Sequence, residues 1–520
     1  MKKYFKHLGV DLPASLVVFL VALPLCLGVG FASTNVDGIN DMPNIFAGII
    51  AGIVGGIIVG VLSGSRIGVS GPAAGLITII TAAIATLGSF DAFLVAVVLS
   101  GIVQIIAGYA RLGILGNYFP SSVIKGMLAA IGITLILKEI PHAFGYDTDF
   151  FGDQSFWQPD GHNTFSELLY AFNALEPGAI IISALSVFIL ILFNSEKIKK
   201  VALFKVIPGA LIVVLLGIGL NALFQSYFPN LFLENKHLVE LPVASSLSEF
   251  TTFFQFPDFS YLANPNVYII ALTIALVGSL ETLLSVEATD NLDPEKHHTP
   301  TNRELKAQGV GNIVSGLIGG LPVTQVIVRS SANVSAGGKS KFSTIVHGIL
   351  LLLSVFFIPT LINLIPLASL AAILIMVGYK LARIQLFKSM FNSGYEQFVP
   401  FVSTIIAVLL TDLLKGIFFG IAVAIFYILR RNFRHSYTIT KNNEGGVNME
   451  LAEEVTFLNK ASIIQYFYDA PEGIKMTIDG SKCKSINHDV LESIAEFKKF
   501  GAIDKNINLS LINIPDLEIN

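Results

Sequence analysis

The sequence predicts an all-α polytopic membrane protein of about 14 transmembrane segments, followed by a small cytoplasmic α/β domain, and three observations carry the prediction. Of 520 residues, 53% are hydrophobic and 13% charged, where a soluble domain carries about 25% charged residues. A window of about 19 residues moved along the chain finds roughly fourteen apolar stretches. After LRRNFRH the composition turns polar and alternating, which sets the expected domains at residues 1–436 and 437–520.

Composition also removes several function classes. The net charge of −4 is spread over loops and the C-terminal region instead of forming one field, so no nucleic-acid partner is expected. Two cysteines, Cys26 in an apolar run and Cys483 near the C-terminus, make no disulfide framework, and no Cys/His spacing matches a metal site. HExxH and GxSxG are absent, and no nucleophile has a base at fitting spacing, so no enzyme is predicted.

The first stretch, MKKYFKHLGVDLPASLVVFLVALPLCLGVGFAS, has the basic head and apolar body of a signal peptide, yet many apolar spans follow, so it reads as a retained first transmembrane helix. The spans begin near Leu12, Ile45, Pro72, Ala92, Ser122, Gly178 and Val201, then near Val267, Leu305, Val323, Phe342, Ile358, Phe398 and Leu413. In the second, Gly48, Gly52, Gly56, Gly60, Gly64 and Gly68 recur every fourth residue, a smooth stripe suited to close packing against a neighbouring helix of the same chain.

Orientation follows from Lys and Arg, which concentrate in short cytoplasmic loops. SGSRIG, ARLG, SEKIKK, PEKHHTPTNRELK, GGKSK and YKLARIQLFKSM are basic, as are both ends of the membrane region. Between them, residues 141–177 contain no Lys or Arg, and residues 225–266 contain only Lys236. An even number of spans with both termini cytoplasmic, in a bacterial-type inner membrane, satisfies this alternation. His297 and His298 fall in a basic loop and read as solvated.

Two segments are too short and too broken to cross a hydrocarbon core of about 30 Å alone. RIGVSGPAAGLITII (residues 66–80) and GGLPVTQVIVRSSANV (residues 319–334) each put a Gly/Pro break before a short helix, in corresponding places of two similar halves. Such a pair points to an inverted repeat whose half-helices meet at the bilayer midplane. Helix N-termini after Pro72 and Pro322 present unpaired N–H groups, so an anion is the expected guest. Arg329, about two turns after Pro322, would add a full positive charge.

ALTIALVGSLETLLSVEATDNLD (residues 271–293) carries Glu281 inside an apolar helix. A carboxylate there must be protonated, paired or cation-bound. It is therefore a candidate for H⁺ or Na⁺ coupling, with Thr282, Ser285 and Ser279 as nearby hydroxyls. An ion pair with Arg329 is the alternative.

These motifs resemble the sulfate permease family of inorganic-anion transporters over nearly the whole chain. The similarity lies in DLPASLVVFLVALPL, GVSGPAAG, GSLETLLSVEATDNLDP with NRELKAQGVGNIVSG, and GGLPVTQVIVRSSANVSAGGKS, in that order. The resemblance implies seven plus seven inverted segments split into a substrate-carrying core and a supporting gate. It places the anion at Ala73, Ala74 and Gly75 on one side and Val323, Thr324 and Gln325 on the other, with Arg329 adding field and Glu281, Thr282 and Ser285 coupling. No cofactor is implied beyond a bound Na⁺, and the expected partners are the bilayer, the anion, the coupling cation and a second copy of the chain. Pro24 is followed by Leu25 and Cys26 where many members carry a glutamine, and Gln325 stands where a small residue is common. With fewer polar contacts for sulfate, bicarbonate becomes a candidate beside it. An uncoupled conductor or exchanger, and a nucleobase-type permease of the same fold, are the competing expectations.

In the C-terminal region VTFLNKASIIQYF, IKMTIDG and INLSLINI read as strands, and NHDVLESIAEFKKFG as a helix started by Asn487 or Asp489 and closed by Gly501. The pattern resembles a short STAS domain. Asn487 and His488 stand where a related phosphorylatable turn has Asp and Ser, so no phosphoswitch is expected, and the domain reads as a regulatory or dimer-forming element or as a passive cytoplasmic cap.

Overall fold

A computed structural model describes residues 7–34, 45–72, 74–148, 156, 162–195, 207–241, 243, 247–434, 437–441 and 446–515. Ala73, the SEKIKK connection beyond Ser195 and the expected span start at Val201 lie outside the described residues. The chain divides into two compact units, Met1–Ile421 and Ala422–Asn520.

The first half of the membrane unit contains α1 (Leu8–Thr34), α2 (Phe46–Leu62), β1 (Ser70–Pro72), α3 (Ile77–Leu87), α4 (Phe90–Tyr109), α5 (Ser121–Phe144), α6 (Pro177–Asn194) and α7 (Gly209–Tyr227). The second contains α8 (Pro265–Leu292), α9 (Thr301–Leu317), β2 (Val323–Gln325), α10 (Ile327–Ser335), α11 (Lys341–Phe357), α12 (Leu367–Leu381), α13 (Tyr395–Leu410) and α14 (Leu413–Arg434). Among the described residues seven helical segments are long and apolar enough to cross a membrane, α1, α4, α6, α7, α8, Leu367–Asn392 and the α14 stretch Leu413–Arg430, and α2, α3, α11 and α13 are shorter apolar helices.

Local chemistry sets the boundaries. The Ser89 side chain accepts the Ala92 N–H to start α4, and Asn264 accepts from Asn266 ahead of a proline at the first position of α8. The outer faces stay greasy: Phe188 and Ile191 on α6, and Ile269, Leu272 and Leu276 on α8, are exposed. Large apolar side chains turned outward on consecutive helix turns suit lipid, not water.

Packing falls into two groups. In one, α1 lies against α2, α10 and α11, while α4 lies against α8 and α9. In the other, α5 packs on α12 and α13, and α6 on α7 and α12. The glycine stripe of α2 serves the first group. A Cβ at Gly56 would sit 2.6 Å from the Gly348 Cα of α11, and one at Gly60 3.2 Å from Thr344 Cγ2. The stripe is thus an intramolecular seam.

A buried polar network braces the segment before β1. Glu304 of α9 accepts from Ser63 Oγ at 2.5 Å, from the Gly64 N–H at 3.3 Å and from Gln308 Nε2 at 2.9 Å. Gln308 Nε2 also donates to Ser70 Oγ in β1 at 2.8 Å. Asp11 of α1 accepts the N–H groups of Lys339 and Ser340 at 2.7 and 3.2 Å and so fixes the entry to α11.

The C-terminal unit holds a four-stranded sheet in the order β3 (Tyr437–Lys441), β4 (Val447–Leu451), β6 (Lys475–Asp479), β8 (Asn508–Ile512), with β4–β6 and β6–β8 parallel. A second pair joins β5 (Glu454–Val455) to β7 (Ser485–Ile486). The helix at His488–Glu496 starts from an Asn487 cap, as the sequence predicts. The strand expected over VTFLNKASIIQYF is corrected: only Glu454–Val455 is extended, and Lys460–Asp469 is a helix. A capping box between Thr456 and Asn459 starts the turn, and Ile463 and Phe467, four apart, bury one helical face.

Candidate functional site

The two broken segments meet as a short antiparallel ladder pairing Ser70 with Gln325, Gly71 with Thr324, and Pro72 with Val323. Beyond it the Val326 N–H donates to the Val69 carbonyl at 2.9 Å, and the Val69 N–H donates to Ser330 Oγ at 3.0 Å. The sequence places a helix start directly after Pro322, but residues 323–325 are extended and the helix begins at Ile327. The Val323 N–H donates to Asn312 Oδ1 at 2.6 Å and the Gln325 N–H to Thr282 Oγ1 at 3.3 Å. Those two donors are therefore occupied. In α10 the Ser330 N–H is the one bonded to Val326, and the N-terminal turn before it presents residues 327–329.

A cavity of about 40 Å³ opens at this turn, lined by Pro72 and Gly75, by Glu281 and Ser285 of α8, and by residues 326–329. Leu25 and Val29 of α1, Ile131 of α5 and Leu413 of α14 complete it. The structure thus brings Gly75, Glu281, Ser285 and Arg329 to one space. Ala74 belongs to a 3-10 turn, Ala74–Leu76, ahead of α3. Val323, Thr324, Gln325 and Thr282 do not line the cavity and form the layer behind it. There Gln325 Nε2 donates to Thr289 Oγ1 at 3.2 Å, while Thr324 Oγ1 is buried with no hydrogen-bond partner among the described residues.

Arg329 is 1% exposed and heads the largest fully buried side chains. It does not snorkel to a surface. Its guanidinium occupies the space beside Gly71, lies 3.8 Å from a Cβ built on Gly52, and is in hydrogen-bond reach of Cys26. Among the described residues it forms no ion pair with Glu281, and its Nη1 has no hydrogen-bond partner. Gly71 and Cys26 are contributors that sequence reasoning missed. Cys26 draws attention only as part of the Leu25–Cys26 pair that follows Pro24.

Glu281 is 5% exposed and faces Gly75, where an added Cβ would lie 3.1 Å from Oε1. Its Oε2 has no hydrogen-bond partner among the described residues. Ser285, one turn on, shares its face. His297, read from sequence as solvated, holds Asp293 Oδ2 through Nδ1 at 2.8 Å.

Residues 8–404 match the sulfate permease family. The chain belongs to that family. It is 27% identical over 434 residues to bicarbonate transporter BicA of Picosynechococcus, covering 81% of this chain and 70% of that protein. It is also 27% identical over 425 residues to YvdB of Bacillus subtilis, a protein named provisionally as a sulfate transporter, covering 81% and 73%. In fold it is similar to the transmembrane domain of a cyanobacterial BicA, at 24% identity and TM-score 0.55 over 79% of this chain and 98% of that one. The similarity to SLC26A9 has TM-score 0.64 at 14% identity over 97% and 84%. Members of the family are membrane transporters and not enzymes, and so is this chain.

Proposed function

We propose that the protein is a secondary active transporter of a small inorganic anion, bicarbonate or sulfate, coupled to Na⁺ or H⁺. The observation that carries the reading is Arg329, a cation removed from water and left without a carboxylate partner among the described residues. A buried charge of that kind needs a counter-charge. An anion at the α10 N-terminal turn supplies it, held by the N–H groups of residues 327–329 and by the backbone at Ala74 and Gly75.

Glu281 is the coupling group in this reading, and the donor set fits it. A carboxylate oxygen without a partner and the Ser285 hydroxyl line the same cavity, and Thr282 stands behind them. Hard oxygens of this kind suit a proton or Na⁺. Loading Glu281 with a cation offsets the repulsion it would exert on the anion.

The architecture we assign is the seven-plus-seven inverted repeat, α1–α7 and α8–α14, in residues 1–436, with both termini cytoplasmic. Residues 437–520 form a STAS-like domain, and the assembly is a homodimer. The pairing of β1 with β2, each leading into a short helix, supports the repeat.

The test is uptake of labelled bicarbonate and, separately, labelled sulfate into proteoliposomes, with and without an inward Na⁺ gradient. Glu281→Gln and Arg329→Ala are run beside the parent. A Na⁺ gradient that accelerates one anion, lost in Glu281→Gln, names the substrate and the coupling. If neither anion enters with the parent, or both variants match it, the assignment fails.

A further inference from the structure

At the other end of α1 lies a second cavity, about 290 Å³, lined by Pro24, Leu27, Gly28 and Phe31 on one side. Its other side is Asp147 and Thr148, a strap at residues 235–241, and Leu367 at the start of α12. The strap is fastened at both ends. At one end Asn363 exchanges two hydrogen bonds with the Leu241 backbone at 2.7 and 3.0 Å, and the Val239 N–H donates to the Ile365 carbonyl at 3.0 Å. At the other, His237 Nδ1 meets Asp147 Oδ2 at 2.6 Å, while Asp147 Oδ1 meets His142 Nδ1 at 2.5 Å. One carboxylate is shared by two imidazoles, one from the strap and one from α5.

We propose that His142, Asp147 and His237 form a proton-operated clasp that holds the strap across this mouth, on the face opposite the basic loops. An ionised carboxylate only accepts, so each imidazole presents Nδ1–H to it. Neutral imidazoles give two hydrogen bonds in which only the carboxylate acceptor is ionised. Protonated ones turn both into ion pairs, whose Coulomb attraction adds to the hydrogen bonds. The clasp therefore tightens when the rings take up a proton and loosens when they lose it.

The surroundings favour the charged form of the clasp. Lys138 and Glu139 face it from α5, Glu167 from the short helix Thr164–Ala171, and Glu176, 4.0 Å from His237 Nε2, from the start of α6. Lys236 and Glu240 lie on the strap itself. Counting Asp147, carboxylates outnumber ammonium groups around the two rings. Asp147 does not titrate alongside the rings. Burial pushes its carboxyl up, but the hydrogen bonds from His142 and His237 outweigh burial and hold it below the ordinary value. A depressed carboxylate keeps its contribution above about pH 4 and loses it only as pH falls further.

The proposal rests on the fold and not on the substrate, so its test reads access directly. Leu27→Cys, on the wall opposite the strap, is labelled in proteoliposomes by a membrane-impermeant maleimide from about pH 5.5 to about pH 8.5, with the chain lacking that substitution as background. His237→Gln and His142→Gln keep an N–H donor but cannot titrate. At each pH the parent rate is divided by the variant rate, which removes the thiol's own pH dependence. The ratio is expected to fall about fivefold from the alkaline to the acid end, as ring protonation adds ion-pair attraction to the bonds with Asp147. A ratio that stays flat with both variants overturns the clasp. If one variant does not fold, the other alone decides, because each removes one of the two imidazoles that share Asp147.

Discussion

The guanidinium of Arg329 fills the space that a side chain on Gly71 would need. The arginine and the β1 backbone have thus been fitted to each other, and the glycine is required by contact, not by backbone conformation. Gly71→Ala forces the guanidinium away from the α10 turn. Uptake is expected to fall on the order of a hundredfold, the scale of an ångström-sized displacement at a reacting or binding group. Gly219→Ala on α7, where nothing lies within 4 Å of the new Cβ, is the control and leaves uptake unchanged.

Arg329→Lys keeps a charge but not the planar fork. The shorter, strongly hydrated ammonium reaches neither the space beside Gly71 nor Cys26 with the same geometry. The KM for the transported anion is expected to rise about tenfold, a loss of about 1.4 kcal/mol, with measurable turnover remaining. A variant indistinguishable from the parent in concentration-dependent uptake would remove the guanidinium from the site.

Glu304 is acceptor-only toward three donors, Ser63 Oγ, the Gly64 N–H and Gln308 Nε2. Glu304→Gln sets an amide donor against one of them. Leaving a buried donor unmatched costs about 1–3 kcal/mol. The detergent-solubilised chain should melt several degrees lower, without a change in which anion it carries.

In the C-terminal unit Phe467 and Phe497 stack with ring centroids 4.1 Å apart. Phe497→Ala is expected to destabilise that unit by about 3–5 kcal/mol. Phe500→Ala, at a ring that is 58% exposed, should stay within about 0.5 kcal/mol. Limited proteolysis of the full chain across a urea series separates the two.

That the chain is a largely helical membrane protein, and that its two broken segments stand out from the other apolar runs, is legible in sequence because both rest on local signals: apolar runs, Gly/Pro breaks, and single charges in oil. The start of α10 is not. Residues 323–325 are extended because their partner strand lies in the other half of the chain, and the adjoining Val69–Ser330 bond spans 261 positions. No local window contains that partner. The misread helix at Lys460–Asp469 has a different cause. Its adjacent isoleucines carry a strand-like composition, whereas the spacing of Ile463 and Phe467 decides for a helix.

The ladder between β1 and β2 also ties the two half-helices to each other. Pulling the two half-helices apart would strip Gly71 from Thr324 and break the hydrogen bonds beyond it, with no water at that depth to replace them. The two half-helices and the braces behind them are therefore held together as one piece. The cavity wall that carries Ile131 and Leu413 belongs to other helices, α5 and α14, and lies outside this paired unit.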